Sequence, residues 1–299
     1  MINNVLKQIK KVAFVLILAG SFSSCEKVDN SPEKFRLFKT LYYSKTTSAN
    51  PTDGVEYLYD AAGNMVKESF YKYNPTELYL YKEYEYLGKQ KQKMSLFRSD
   101  EGVLKLSWYV VYFYDNENRL IREEFREADD WLSSTTVYEY RDGNLVRQYF
   151  HEPHFGDFLE TKNTYDAQNR LVQVEKNSSD YMEYKYIKHT YDTEGREKTL
   201  EYYDASWGLV RTVEKIYNGR SKLPVKELHY DKYRVQTSQY QHFYDKVGHL
   251  VETRLNDDCT LFKRKYKDRL LIEEIIYSKP ERGCTEDETI RYEYQKIET

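Results

Sequence analysis

The chain has little that bends or crosslinks a backbone: 12 Gly, 6 Pro and 3 Cys in 299 residues. So few glycines and prolines argue against a collagen-like chain or a low-complexity disordered one. The longest apolar stretch, Val12–Gly20, is nine residues, half of what a membrane-spanning helix needs. No strong charge of one sign is present, with 46 Lys and Arg against 49 Asp and Glu. That balance gives no electrostatic drive towards nucleic acid or an anionic membrane surface. No Gly-x-Ser-x-Gly elbow, phosphate-binding loop or dinucleotide fingerprint occurs, and no cofactor is implied.

What is present begins with a leader. Lys7, Lys10 and Lys11 precede the apolar Val12–Gly20 run, and small residues lead to Cys25. This is the layout of a secretory signal. The segment Phe22-Ser23-Ser24-Cys25 resembles a lipobox, with Phe22 in place of the usual aliphatic residue. The resemblance implies cleavage after residue 24 and lipidation of Cys25. Residues 1–24 are then a lipoprotein signal peptide and 25–36 a flexible tether, with the membrane held through the N-terminal lipid rather than crossed. Two cysteines remain, which suits an oxidising compartment with at most one bridge.

Tyrosine is the dominant aromatic, 32 against 13 Phe and 3 Trp, in a chain that is 32% charged. Its placement is periodic. Tyr59, Tyr86, Tyr114, Tyr140, Tyr165, Tyr191, Tyr217, Tyr244, Tyr266 and Tyr294 recur every 26 residues or so, making about ten units over residues 37–299. Counting from each anchor Tyr, Asp usually follows at +1, and Gly or Asn stands at +4 (Gly63, Asn118, Asn169, Gly195, Gly248). An Asp that caps its own backbone, followed by a residue tolerant of positive φ, spells a three-residue hairpin turn ending in a bulge. The register predicts that the anchor faces the Leu or Met at +6 (Met65, Leu120, Leu171, Leu250, with Leu145 after a shorter turn). It also predicts that the residue at −2, often Tyr, faces a cation at +8 such as Lys67 or Arg122. Between anchors lies a second, variable turn, as at Glu127–Asp130, Glu152–Gly156 and Asn177–Asp180. The expected fold is all-β: tandem antiparallel β-hairpins forming a long curved or spiral sheet, since about twenty strands cannot lie flat.

The run Tyr112-Phe113-Tyr114-Asp115-Asn116-Glu117-Asn118-Arg119-Leu120 and its sister units resemble the YD-repeat, or RHS-repeat, family. That resemblance covers residues 40–299 and implies a spiral β-sheet. Large members enclose a C-terminal toxin, but this chain is too short for a closed shell and has no toxin domain after its last repeat. Short YD-like arrays behind a relaxed lipobox and charged residues (Glu26-Lys27-Val28-Asp29) resemble envelope lipoproteins of Bacteroidota. The localisation this implies is the outer membrane, facing the cell surface or the periplasm.

Chemistry-bearing residues are scattered. His151 and His154 have the spacing of a metal pair, but no Cys or third His lies nearby in sequence, so a polar loop is the plainer reading and no metal site is assigned. His189 and His242 occupy −2 positions, where packing explains them. Asp129-Asp130 and Asp257-Asp258 fall in variable turns, where carboxylates are normally solvated. No catalytic residue is assigned and an enzyme is not expected. Trp108, Trp131 and Trp207 stand off the repeat consensus, in or beside variable turns, and are the candidate ligand-contact aromatics. Cys259 and Cys284 lie about one repeat apart, each before a Thr, and form a candidate disulfide. The functional expectation is a lipid-anchored envelope module that binds or scaffolds an unknown protein or glycan and no nucleic acid. The alternatives are a glycan-binding accessory lipoprotein or, further off, a hydrolase.

Overall fold

The structure is a computed structural model that describes residues 35–44, 49–154, 156–176, 184–256, 259–278 and 285–296. The leader, Cys25, Cys284, the Asn177–Asp180 turn and Asp257-Asp258 lie outside the described residues. Every element among the described residues is a strand. The first ten are β1 (Phe35–Ser44), β2 (Asp53–Tyr59), β3 (Met65–Tyr73), β4 (Thr76–Leu87), β5 (Gln90–Asp100), β6 (Val103–Tyr114), β7 (Leu120–Glu127), β8 (Leu132–Arg141), β9 (Asn144–Glu152) and β10 (Gly156–Tyr165). The second ten are β11 (Leu171–Lys176), β12 (Tyr186–Tyr191), β13 (Glu197–Tyr203), β14 (Leu209–Tyr217), β15 (Pro224–Asp231), β16 (Gln236–Tyr244), β17 (Leu250–Leu255), β18 (Cys259–Lys267), β19 (Leu270–Ser278) and β20 (Thr285–Lys296). β1 thus begins inside the segment read from sequence as tether.

The turn chemistry is the expected one. The Gly63 N–H donates to the Asp60 carbonyl at 3.0 Å and the Asp60 N–H to the Asn64 carbonyl at 2.9 Å. Gly63, Asn118, Asn169, Gly195 and Gly248 all have φ between +59 and +92°. Eight of the nine anchors followed by a strand face their +6 or shorter-turn partner, as in Tyr59–Met65, Tyr114–Leu120 and Tyr140–Leu145, while Tyr217 faces Pro224 after a longer turn.

The next pair is where the expected register fails. At all nine anchors followed by a strand, the ladder shifts by one residue beside the anchor. In the first unit Val66 is the extra residue, because Tyr59 pairs Met65 while Leu58 pairs Lys67. Tyr57 therefore faces Glu68, not Lys67, and Tyr112 faces Glu123, not Arg122. Lys67 and Arg122 are carried to the other face, where they cover Tyr81 and Phe113 at 3.8 and 3.9 Å. A bulge of this kind bends its strand and increases local twist, and here it recurs in every hairpin.

Accumulated bending closes the sheet, which corrects the open curved or spiral form. Consecutive strands pair antiparallel throughout, and β20 pairs with β1, giving a closed twenty-stranded barrel. β20 carries the tenth anchor, Tyr294, so β1 stands where the second strand of the tenth hairpin belongs. The seam beyond it follows the pattern of the other seams: Lys39 of β1 faces Glu56 of β2 with a 2.9 Å ion pair. No edge is left unpaired, the liability that open sheets must cover by other means.

The anchors clip neighbouring units together. In eight of the ten, the phenol donates to a main-chain carbonyl of the preceding unit just past its turn, as in Tyr140 to Leu120 (3.0 Å), Tyr191 to Leu171 (2.8 Å) and Tyr244 to Pro224 (2.9 Å). The Asp–Arg pairs of three turns serve the same end. Asp115 holds Arg119 at 2.7 Å, and that guanidinium lies 5.0 Å from the centre of the Tyr140 ring. Arg170 and Arg196 repeat this over Tyr191 and Tyr217, and His249 stacks on Tyr266 at 4.4 Å.

Candidate ligand-binding rim

Alternation along the strands sorts side chains onto two faces. The anchor face is the more enclosed one, with Val55, Leu96, Val213, Leu255 and Ile290 all at or below 5% exposure. It also carries acids that the bulges have turned inward. Glu68 accepts from Lys82 (3.0 Å) and from the Tyr84 phenol (2.8 Å). Glu274 accepts from Arg264 (2.8 Å) and Tyr292 (3.2 Å). Glu197, which faces the anchor Tyr191 directly and owes nothing to a bulge, is held by His189 at 2.7 Å and by Lys215. Burial, reinforced by these carboxylates, pushes the Tyr84 and Tyr292 phenols well above their ordinary range, and Tyr57, buried beside Thr40, to about 12. Burial also raises the carboxyl of Glu123. Each paired acid has donors within bonding distance, the arrangement of a structural network.

The opposite face is charged. Lys67–Glu83 (3.0 Å), Arg126–Glu124 (2.9 Å), Arg147–Glu139 (3.3 Å), Arg254–Glu252 (2.9 Å) and Arg291–Glu273 (3.3 Å) run along it. A barrel wall facing lipid needs an apolar band about 25 Å tall. This face is not one.

The three tryptophans meet different fates. Trp108 lies in β6 on the enclosed face, opposite Leu96 and tilted against Phe125 at 5.0 Å. Trp131 closes the β7–β8 turn, 55% exposed, and stacks on His154 of the β9–β10 turn at 6.0 Å. Trp207 sits in the β13–β14 turn. That turn copies the anchor turn, with Asp204 accepting from the Ser206 and Gly208 N–H groups at 2.9 Å. Trp207 occupies the slot that Gly or Asn fills elsewhere, at φ +64°. A bulky residue in the left-handed region costs about 1 kcal/mol or more and marks a local constraint.

That conformation lays the Trp207 indole flat on Tyr186, with centroids 3.7 Å apart and planes 13° apart. Tyr186 is buried and Trp207 is 46% exposed. Lys188 Nζ lies 5.0 Å from Trp207 and 4.9 Å from Tyr203. Glu201 accepts from the Tyr203 phenol (2.6 Å) and from Arg234 (3.1 Å), which reaches over from the β15–β16 turn. The phenol holds Glu201 below the usual carboxylate range. Tyr233 and Val235 of that turn are exposed as well. The result is a fixed aromatic platform with hydrogen-bonding groups at its edge. Tyr186, Lys188 and Tyr203 escaped the sequence reading; the usable signal was a Trp in the Gly slot of an Asp-led turn.

Cys259 is disulfide-bonded. Among the described residues, no group of three or more His, Cys, Asp or Glu side chains is placed to hold a metal ion.

No family model and no curated protein matches the chain. Solved structures do. The Tc holotoxin pore of Photorhabdus luminescens aligns with 76% of this chain at 11% identity and a TM-score of 0.44. A TcdB2–TccC3 complex without its hypervariable C-terminal region aligns with 85% at 11% identity and 0.42. This chain spans only 13% and 17% of those two chains. A porin-like protein of Bacteroides uniformis aligns over 89% of this chain and 98% of its own, at 9% identity and 0.38.

Proposed function

We propose that the protein is a lipid-anchored binding module of the bacterial outer membrane, a short relative of the YD-repeat proteins that works without catalysis and takes a glycan at its variable-turn rim. The observation that carries this reading is the Trp207 platform. A strained, half-exposed indole held flat on a buried ring, with Lys188, Glu201 and Arg234 at its margin, suits stacking on a sugar ring with polar groups reading its hydroxyls. β1 runs antiparallel to β2 and starts at the anchor-turn end, so the chain that leads from Cys25 enters the barrel there. A bridge between Cys259 and Cys284 belongs to this reading, in keeping with an exported chain.

Electrophoresis in native gels cast with a panel of neutral and acidic polysaccharides tests the rim. Wild type is expected to be retarded by at least one, and Trp207→Ala to bind it about tenfold more weakly with unchanged circular dichroism. Equal retardation of both forms excludes the platform. Membrane release of Cys25→Ala, against retention of wild type, checks the anchor separately.

A further inference from the structure

A second recognition feature lies at the opposite end of the sheet, in the seam between β9 and β10. The rule broken there is visible in all the other seams. On the last rung before the anchor turns, strands from adjacent units pair opposite charges (Lys39–Glu56, Lys67–Glu83, Glu252–Lys263, Glu273–Arg291) or set at least one neutral residue against the other. The β9–β10 rung sets Arg147 against Lys162. Like charges directly opposite one another on a sheet are destabilising.

The surroundings do not cancel them. Arg147 reaches Glu139 at 3.3 Å. Lys162 faces Glu175 across β11, yet no carboxylate of the described residues lies within 4.0 Å of its ammonium. Arg141, at the tip of β8, adds a third cation. Asp142 stands beside it in the turn, while Asp166 is committed to Arg170 at 2.7 Å and to its own turn N–H groups.

A groove of about 350 Å³ opens at this place, lined among others by Arg141, Arg147, Lys162 and Tyr165, with the carboxylates Asp142 and Asp166 also on its wall. Its origin is a shortened turn. The β8–β9 hairpin turns through Asp142 and Gly143, both at positive φ, and carries Asn144 where Arg119 or Arg170 stands in other units. No guanidinium therefore covers Tyr165 as Arg119 covers Tyr140, and the space is left open. Three cations line it with amides and a hydroxyl, against two carboxylates of which Asp166 is already paired with Arg170.

We propose that this groove is an oxyanion site for a phosphate-type group, held by Arg141, Arg147 and Lys162. Planar guanidinium forks and an ammonium around one cleft match the geometry and charge of phosphate oxygens. The site stands apart from the Trp207 rim and does not depend on the glycan reading. Lying at the anchor-turn end, it meets a phosphate either from solution or from a lipid headgroup, and only the second source rests on the proposed anchor.

The test is calorimetric titration of the full-length protein with sn-glycerol 3-phosphate, with glycerol as the neutral control, beside flotation with phosphatidylcholine vesicles containing or lacking phosphatidylglycerol. Saturable binding of glycerol 3-phosphate and not glycerol is expected, weakening with salt. Arg141→Gln with Lys162→Gln should lower that affinity about tenfold or more. Lys226→Gln, at the equivalent rung of another seam, should leave it unchanged. Binding only to the phosphatidylglycerol vesicles, lost in the same double variant, supports the site and assigns it to a lipid. Failure to bind either probe overturns the proposal, as does binding that the double variant retains.

Discussion

Glu68→Leu is expected to destabilise the barrel by about 3 kcal/mol, the largest effect of any single substitution considered, because it strands buried partners. Glu68 is 5% exposed and accepts from both Lys82 and the Tyr84 phenol. Removing the carboxylate leaves an ammonium on the enclosed face with no counter-charge and a phenol with no acceptor, while Lys82 retains contact with the Phe70 ring at 5.1 Å. For a chain of this size that loss corresponds to a drop of about 6–10 °C in Tm. Glu68→Leu combined with Lys82→Leu should recover much of it, since replacing both members of a buried pair by apolar groups is far less harmful than removing one. Thermal unfolding of the single and double variants decides the matter. A single variant as stable as wild type would show that the bulge-turned acids do not support the fold.

The second large effect is acid lability. Asp60, Asp115 and Asp166 are held below the ordinary carboxylate range, first by backbone N–H groups of their own turns and then by the side chain at +5. Glu227 inside the barrel is lowered by His229. A depressed folded-state pKa means that the group stabilises the fold above its unfolded value, about 4, and that this contribution disappears as pH falls through the folded value. Glu123, raised by burial, works in the other direction but is outnumbered. Tm should slip slightly below about pH 6.5, where His242, lowered by burial, takes up a proton on unfolding, and then fall steeply from about 5 towards pH 2. A Tm that is flat or rising over that range contradicts this assignment of the turn carboxylates.

Much of this was legible in the sequence because the hairpin turn is a local device. The Asp at +1 and the Gly or Asn at +4 set the turn within five residues, and the Leu or Met at +6 followed from it. The bulge beside each anchor was not legible, since no residue type marks it; Val66, Ile121 and Val172 read as ordinary strand positions. That one missed residue per hairpin inverted the faces of Lys67 and Arg122, hid the row of inward acids, and concealed the curvature that closes the sheet. Closure itself is a pairing between the two ends of the chain, and no local pattern encodes it. At the rim, Trp131 and Trp207 were visible as departures from the repeat. Trp108 was mistaken for their equal, because only the register shows that it faces inward.

Closure of the barrel by β1 against β20 is the central structural claim, and native-state amide hydrogen exchange tests it most directly. In a closed barrel neither strand is an edge, so the amides of residues 37–43 and 286–294 are expected to exchange as slowly as those of mid-sheet strands such as β6 and β14. Rapid exchange confined to β1 and β20, with the other strands protected, would mean an open sheet with two free edges and would contradict the closed form.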